Sequence, residues 1–206
     1  RTVRGPGEYE MGGVFITGVG MRPDKKGQGE AAQKSTVYVF NFDGLSVAHM
    51  GGLNFVPTQA QIDALETVHV LLIPIGGGSG LNAAQASEVI SLIEPSIVVP
   101  INFKSGDSGA GLDGAQKFLK EMGLSEAKPV ESLKITRSGL PEDTQVVVLV
   151  MQAGDALHQF ALVVVEHIAE AGDAVGRAIV FLARAFEFAA QQVAHRLGAV
   201  GITLGG

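Results

Sequence analysis

The run Val68–Ile75 (VHVLLIPI) limits the possible folds more than any other part of this chain, because it offers almost no polar side to water. A strand of that kind must be covered on both faces, which predicts a central place in a layered α/β sheet. A glycine-rich turn follows at Gly76–Asn82 (GGGSGLN), then a helical period over Ala83–Ile93 with Ala86, Ile90 and Ile93 on one side. Ser96–Asn102 (SIVVPIN) repeats the buried-strand pattern.

From Gly12 to about Leu149 the hydrophobic period alternates between 2 and 3.6, with turn residues at each change, so the expected class is mixed α/β. Val14–Val19 reads as a strand and Arg22–Lys34 as a polar loop. Ser35–Met50 reads as a hairpin, since Asp43-Gly44 separates two alternating segments. Thr58 can cap a short helix (TQAQIDALE) that turns Ile62 and Leu65 inward. Asp113–Met122 reads as a helix stopped by Gly123, and SLKITRS and TQVVVLVM as closing strands. Glycine occupies 28 of 206 positions without a G-X-Y period, which places the excess in turns.

Composition removes several functions. Fifteen Lys+Arg against 21 Asp+Glu give a net charge of -6, and there is no Trp, so phosphate neutralisation and base stacking are both weak and nucleic acid is not an expected partner. With no Cys, any metal must be held by His, Asp or Glu. No signal peptide and no charge-free apolar run of about 18 residues are visible, so the expected location is the cytoplasm. The numbering opens at Arg1 rather than Met, which points to processing or to a longer product.

The character changes after Asp155. Residues 156–196 contain no proline and carry a seam at alternating steps of four and three that includes Leu157, Val164, Ile168, Val175 and Leu182, widened by Ile179 and Phe186. An unbroken helix there would reach roughly 60 Å at about 1.5 Å per residue; a break at Gly172-Asp173 would instead give a helical hairpin. Acids (Glu166, Glu170, Asp173, Glu187) and arginines (Arg177, Arg184, Arg196) recur without forming a cationic face, which disfavours a membrane and favours a protein partner or self-association through these helices. Two domains are therefore expected, 1–152 and a helical extension over 153–206, with Leu157, Val164, Ile168, Val175, Ile179, Leu182 and Phe186 as the assembly seam.

The segments GPGEYEMGGVFITGV (Gly5–Val19), STVYVFNFDGLSVAHMGGL (Ser35–Leu53), PTQAQIDAL (Pro57–Leu65), VHVLLIPIGGGSGLNAA (Val68–Ala84), IEPSIVVPINF (Ile93–Phe103), KFLKEMGL (Lys117–Leu124) and LPEDTQVVVL (Leu140–Leu149) occur in an order that resembles the C-terminal half of metallo-β-lactamase-fold, zinc-dependent hydrolase-like proteins. The resemblance implies a partial αββα sandwich of mixed sheets, with a metal site at the sheet edge between the halves. It also implies that the H-x-H-x-D-H metal loop precedes the matched segments, where this chain has no residues. At the family's remaining ligand positions the chain has Arg22 after GGVFITGV, Gly52 in place of the aspartate of H-L-G-D, and Asn102 in place of the histidine of P-M-H-Y. His49 alone persists. A guanidinium repels a divalent cation, and one imidazole with one carboxamide cannot hold it. The expectation is a catalytically degenerate domain with no metal or other cofactor, serving as a structural or interaction subunit of an oligomeric assembly. The alternative is a metal-dependent hydrolase, using zinc, whose first half lies outside this chain.

Other candidates have plainer readings. His49 and His69 sit at strand ends as structural histidines, and His158, His167 and His195 are out of helical phase with one another. Glu8 and Glu10 share one strand face and read as a solvated edge. The Gly76–Gly80 turn meets neither nucleotide-binding glycine motif and reads as a close-packed turn. Arg22 could bind an anion where the family binds a cation.

Overall fold

A computed structural model describes residues 3, 5–23, 35–105, 109, 111–149 and 163–164. The seam positions Leu157, Ile168, Val175, Ile179, Leu182 and Phe186, and the choice between one helix and a hairpin, lie outside them.

Seven strands form one mixed sheet in the order β1-β2-β3-β4-β5-β6-β8. The first four are an antiparallel meander: β1 (Gly7–Met11), β2 (Val14–Met21), β3 (Ser35–Phe42) and β4 (Leu45–His49). β5 (Val70–Pro74), β6 (Ile97–Ile101) and β8 (Gln145–Val146) then add in parallel to β4. The β3–β4 turn forms where the Asp-Gly pair predicted it, with φ of 50° at Asp43 and 72° at Gly44, the left-handed pair that matches strand twist.

The apolar runs occupy the middle of the sheet, and every residue of β5 and β6 is buried. Their side chains alternate between two cores. Leu71, Ile73 and Val98 join Ile62 of α1 (Gln59–Asp63), Ala86, Val89 and Ile90 of α2 (Ala83–Ile93) and Phe118 and Leu119 of α3 (Ala115–Glu121) on the helical face. Val70, Leu72, Ile97 and Val99 join Val14, Ile16, Phe40, Leu45 and Val47 on the other face, packed against Leu133, Ile135 and Leu140. The described helices α1, α2 and α3 thus all lie on one side of the mixed sheet.

Two expected strands are shorter than their patterns. SLKITRS supplies only β7 (Leu133–Lys134) before a 3-10 turn at Arg137–Gly139. TQVVVLVM supplies β8, after which the chain turns away from β6 as Val130 N–H donates to Val148 O at 2.9 Å. Val164, expected on a helical seam, is instead extended: β9 (Val163–Val164) pairs in parallel with β7. Three consecutive valines (163–165) explain the correction, because β-branched side chains favour a strand wherever an open edge is available.

Candidate functional site

Strand direction alone gathers the four positions of interest at one edge. β2 is antiparallel to β3 and β3 to β4, so β2, β4, β5 and β6 all end on the same side of the sheet. Arg22 follows the last residue of β2, His49 ends β4, Gly52 lies in the loop after it, and Asn102 follows β6. In α/β sheets with parallel strands this is the edge at which ligands bind.

The loop after β4 is pinned at both ends. Met50 N–H donates to Leu72 O at 2.9 Å, and Leu53 N–H returns to Met50 O at 3.2 Å. Gly51 takes a φ of 60°, a left-handed conformation that glycine adopts without strain. Its N–H donates to His49 Nδ1 at 3.1 Å, and its carbonyl accepts from Asn102 Nδ2 at 3.5 Å. Asn102 is also left-handed, with φ of 50°, and its carbonyl accepts Gly76 N–H at 3.1 Å. The fold thus brings His49, Gly51, Gly52 and Asn102 together. Arg22 sits on the same edge, exposed, with its carbonyl accepting from Gln61 Nε2 of α1 at 3.1 Å.

The chemistry of this set follows from which lone pairs are engaged. His49 is 5% exposed, and burial lowers its pKa from 6.5 to about 4, so it is neutral at pH 7. Nδ1 accepts the Gly51 N–H, which in the neutral ring favours the proton on Nε2, so a cation at either nitrogen would have to displace that arrangement. Asn102 contributes a neutral amide whose nitrogen already donates. Gly52 is exposed, with nothing within 4 Å of where a Cβ would stand, so the carboxylate position is vacant of donors without being filled by anything else. Among the described residues no group of three or more His, Asp or Glu could hold a metal ion. This donor set does not fit a divalent cation.

The glycine turn beside the site is bound to itself. Gly77 N–H donates to Leu81 O at 2.9 Å and Gly80 N–H to Gly77 O at 3.0 Å. At the start of α2, Asn82 and Gln85 cap each other reciprocally, with Gln85 N–H to Asn82 Oδ1 at 3.0 Å and Asn82 N–H to Gln85 Oε1 at 3.1 Å. Glu8 and Glu10 are exposed on the edge strand β1, as their pattern predicted.

His69 was legible only as a strand opener, and its role is larger. Its Nδ1 accepts Ser46 N–H at 2.9 Å, its own N–H donates to Ser46 O at 3.0 Å, and its carbonyl accepts Ile97 N–H at 2.9 Å. One residue therefore ties β4, β5 and β6 at the edge opposite His49. The only sequence signal was a polar residue inside an apolar run.

Known proteins agree with the fold. Residues 1–102 match the family described as Beta-lactamase superfamily domain. The chain is 25% identical over 103 residues to a UPF0173 metal-dependent hydrolase of Natranaerobius thermophilus, covering 50% of this chain and 44% of that protein. It is 33% identical over 70 residues to a UPF0173 metal-dependent hydrolase of Methanosarcina mazei, covering 34% of this chain and 30% of that protein. Among solved structures, a candidate Zn-dependent hydrolase of the metallo-β-lactamase superfamily from Thermotoga maritima superposes with a TM-score of 0.58 at 29% identity, covering 72% of this chain and 71% of that one. The chain spans less than half the length of these two curated relatives.

Proposed function

From the premise that residues 1–102 belong to the metallo-β-lactamase superfamily, we propose that this chain is a catalytically degenerate member acting as a structural or interaction subunit, without a resident metal. What supports the reading is the His49–Gly51 hydrogen bond at 3.1 Å. It engages Nδ1, so metal ligation by His49 would cost that bond or a change of tautomer, at a site where Arg22, Gly52 and Asn102 supply no anionic donor. Hydrolysis on this fold uses a metal that brings bound water toward a pKa of about 7, and no step of that kind is assigned to these residues. The proposed division is a sheet domain over 1–152 and an apolar extension over 153–206 that contacts protein, in the cytoplasm.

Elemental analysis of the purified full chain is expected to find zinc, manganese and iron far below one equivalent. The double substitution Gly52→Asp with Asn102→His is expected to raise zinc affinity measurably. Gly52 has open space for a side chain, and histidine tolerates the left-handed backbone at 102 better than most residues. Light scattering is expected to give a multiple of the 21.4 kDa chain mass. Stoichiometric metal in the unmodified chain would overturn the degenerate reading, and a monomer mass would overturn self-association, leaving a different protein as the only partner the assembly role allows.

A second reading is favoured by the names of the relatives and the likeness to the Thermotoga structure. It is a metal-dependent hydrolase whose other ligands come from outside this chain. Metal bound in one equivalent, with ester or phosphodiester turnover that a chelator removes, would establish it.

A further inference from the structure

We propose that the outer edge of β1 is a docking site for an extended, basic strand of a partner protein. β1 ends the seven-stranded sheet and pairs there with β2. Its hairpin closes through Gly12 and Gly13, both left-handed with φ of 62° and 83°, so Met11 and Val14 form the first hydrogen-bonded pair of the ladder. Such pairs alternate along antiparallel strands, which directs the backbone groups of Tyr9 and Met11 to β2 and those of Glu8 and Glu10 outward. Glu8 and Glu10 are both exposed, so their N–H and C=O groups are presented where another strand can bond them.

The side chains select the strand that fits. Glu8 and Glu10 stand opposite Thr17 and Phe15 in the register, on one face of the sheet, and Phe15 is 59% exposed. A cationic side chain arriving opposite Glu10 meets a carboxylate with an exposed aromatic ring beside it, a combination that suits arginine or lysine. Tyr9 and Met11 lie on the other face, half-buried against the core that holds Val14 and Ile16, so the residue between two cations should be apolar. A second copy of β1 does not fit. Any antiparallel pairing that uses the outward groups of both copies sets a glutamate of one directly opposite a glutamate of the other, and like charges so placed repel. The net charge of -6 adds to that repulsion and favours a cationic partner. This inference stands whether or not the edge at His49 holds a metal, because it concerns the flank of the sheet.

The test uses the full chain and peptides with neutral ends: TRVRVRT, its acidic counterpart TEVEVET, and TRRRVVT, which keeps the charge and loses the alternation. TRVRVRT is expected to bind, to shift the amide resonances of Glu8 and Glu10, and to slow solvent exchange of those two amide protons several-fold. Glu8→Gln combined with Glu10→Gln, both at exposed positions, is expected to weaken that binding about ten-fold, and Phe15→Ala to weaken it by a smaller factor. Equal binding of TEVEVET or of TRRRVVT would overturn the proposal, as would undiminished affinity in the Gln variant or shifts that leave Glu8 and Glu10 unmoved. Absence of TRVRVRT binding would also overturn it, leaving Glu8 and Glu10 as charges that keep the edge from pairing.

Discussion

Gly76 and Gly44 show that glycine is required for two unlike reasons in this protein. A Cβ on Gly76 would run into the carbonyl oxygen of Asn102 and approach Phe103 Cα at 2.9 Å, so the requirement is close approach of two backbones. Gly44 has open space around it and a φ of 72°, so its requirement is conformational. Gly76→Ala should lower the unfolding free energy by about 1–3 kcal/mol, as overpacking does, and should shift the amide resonance of Asn102. Gly44→Ala should cost about 1–2 kcal/mol from left-handed strain, with Asn102 unmoved. Equal shifts of Asn102 in both variants, read by NMR with denaturant midpoints, would contradict this distinction. Neither reason was readable from a run of glycines alone, because which backbone approaches Gly76 depends on a residue 26 positions away.

Among the elements, α2 was the most legible, and Ala83–Ile93 formed with the bounds that its period predicted. Asn82 at its start and Glu94 in a left-handed conformation at its end explain why the boundaries are sharp. Asn82→Ala should cost about 1 kcal/mol through loss of the reciprocal cap, measured as a lower denaturant midpoint with an unchanged slope. By contrast, β7 and β8 are only two residues each, although their apolar patterns ran longer. They lie where strand pairing competes with other partners, and competition between pairings is not written in a local period. The same reason accounts for β9: a helical seam and a strand edge both suited Val164, and the unpaired edge of β7 decided between them.

At the scale of the whole molecule, His49 and His69 pin opposite edges of the parallel strands, and both are held neutral. Burial lowers each pKa, that of His49 to about 4, with Arg137 adding to the lowering at His69. Protonation of either Nδ1 would set a ring N–H against a backbone N–H, at Gly51 or at Ser46. Because the folded pKa lies below the ordinary 6.5, their stabilising contribution is complete above that pH. It is lost as pH falls below 6.5, for His49 down to about 4. The His49 contribution has an upper limit of about 3 kcal/mol. His69→Gln keeps an acceptor for Ser46 N–H and removes the titration, so its stability should fall less steeply over that acid range than the parent's. Identical pH profiles from chemical denaturation would exclude the His69 part of this account.

Local period and turn chemistry determined the mixed α/β class, the central strands, the β3–β4 hairpin and the capped helix, because each is set by residues within a few positions of one another. Resemblance in the ordered motifs pointed to the superfamily and to the edge where Arg22, His49, Gly52 and Asn102 belong. Only the tertiary structure decided which lone pair of His49 is engaged, which backbone Gly76 must meet, and that Val163–Val164 joins β7. Those outcomes depend on strands brought together across long stretches of chain, and a hydrogen bond or a steric contact exists only once its distant partner has arrived.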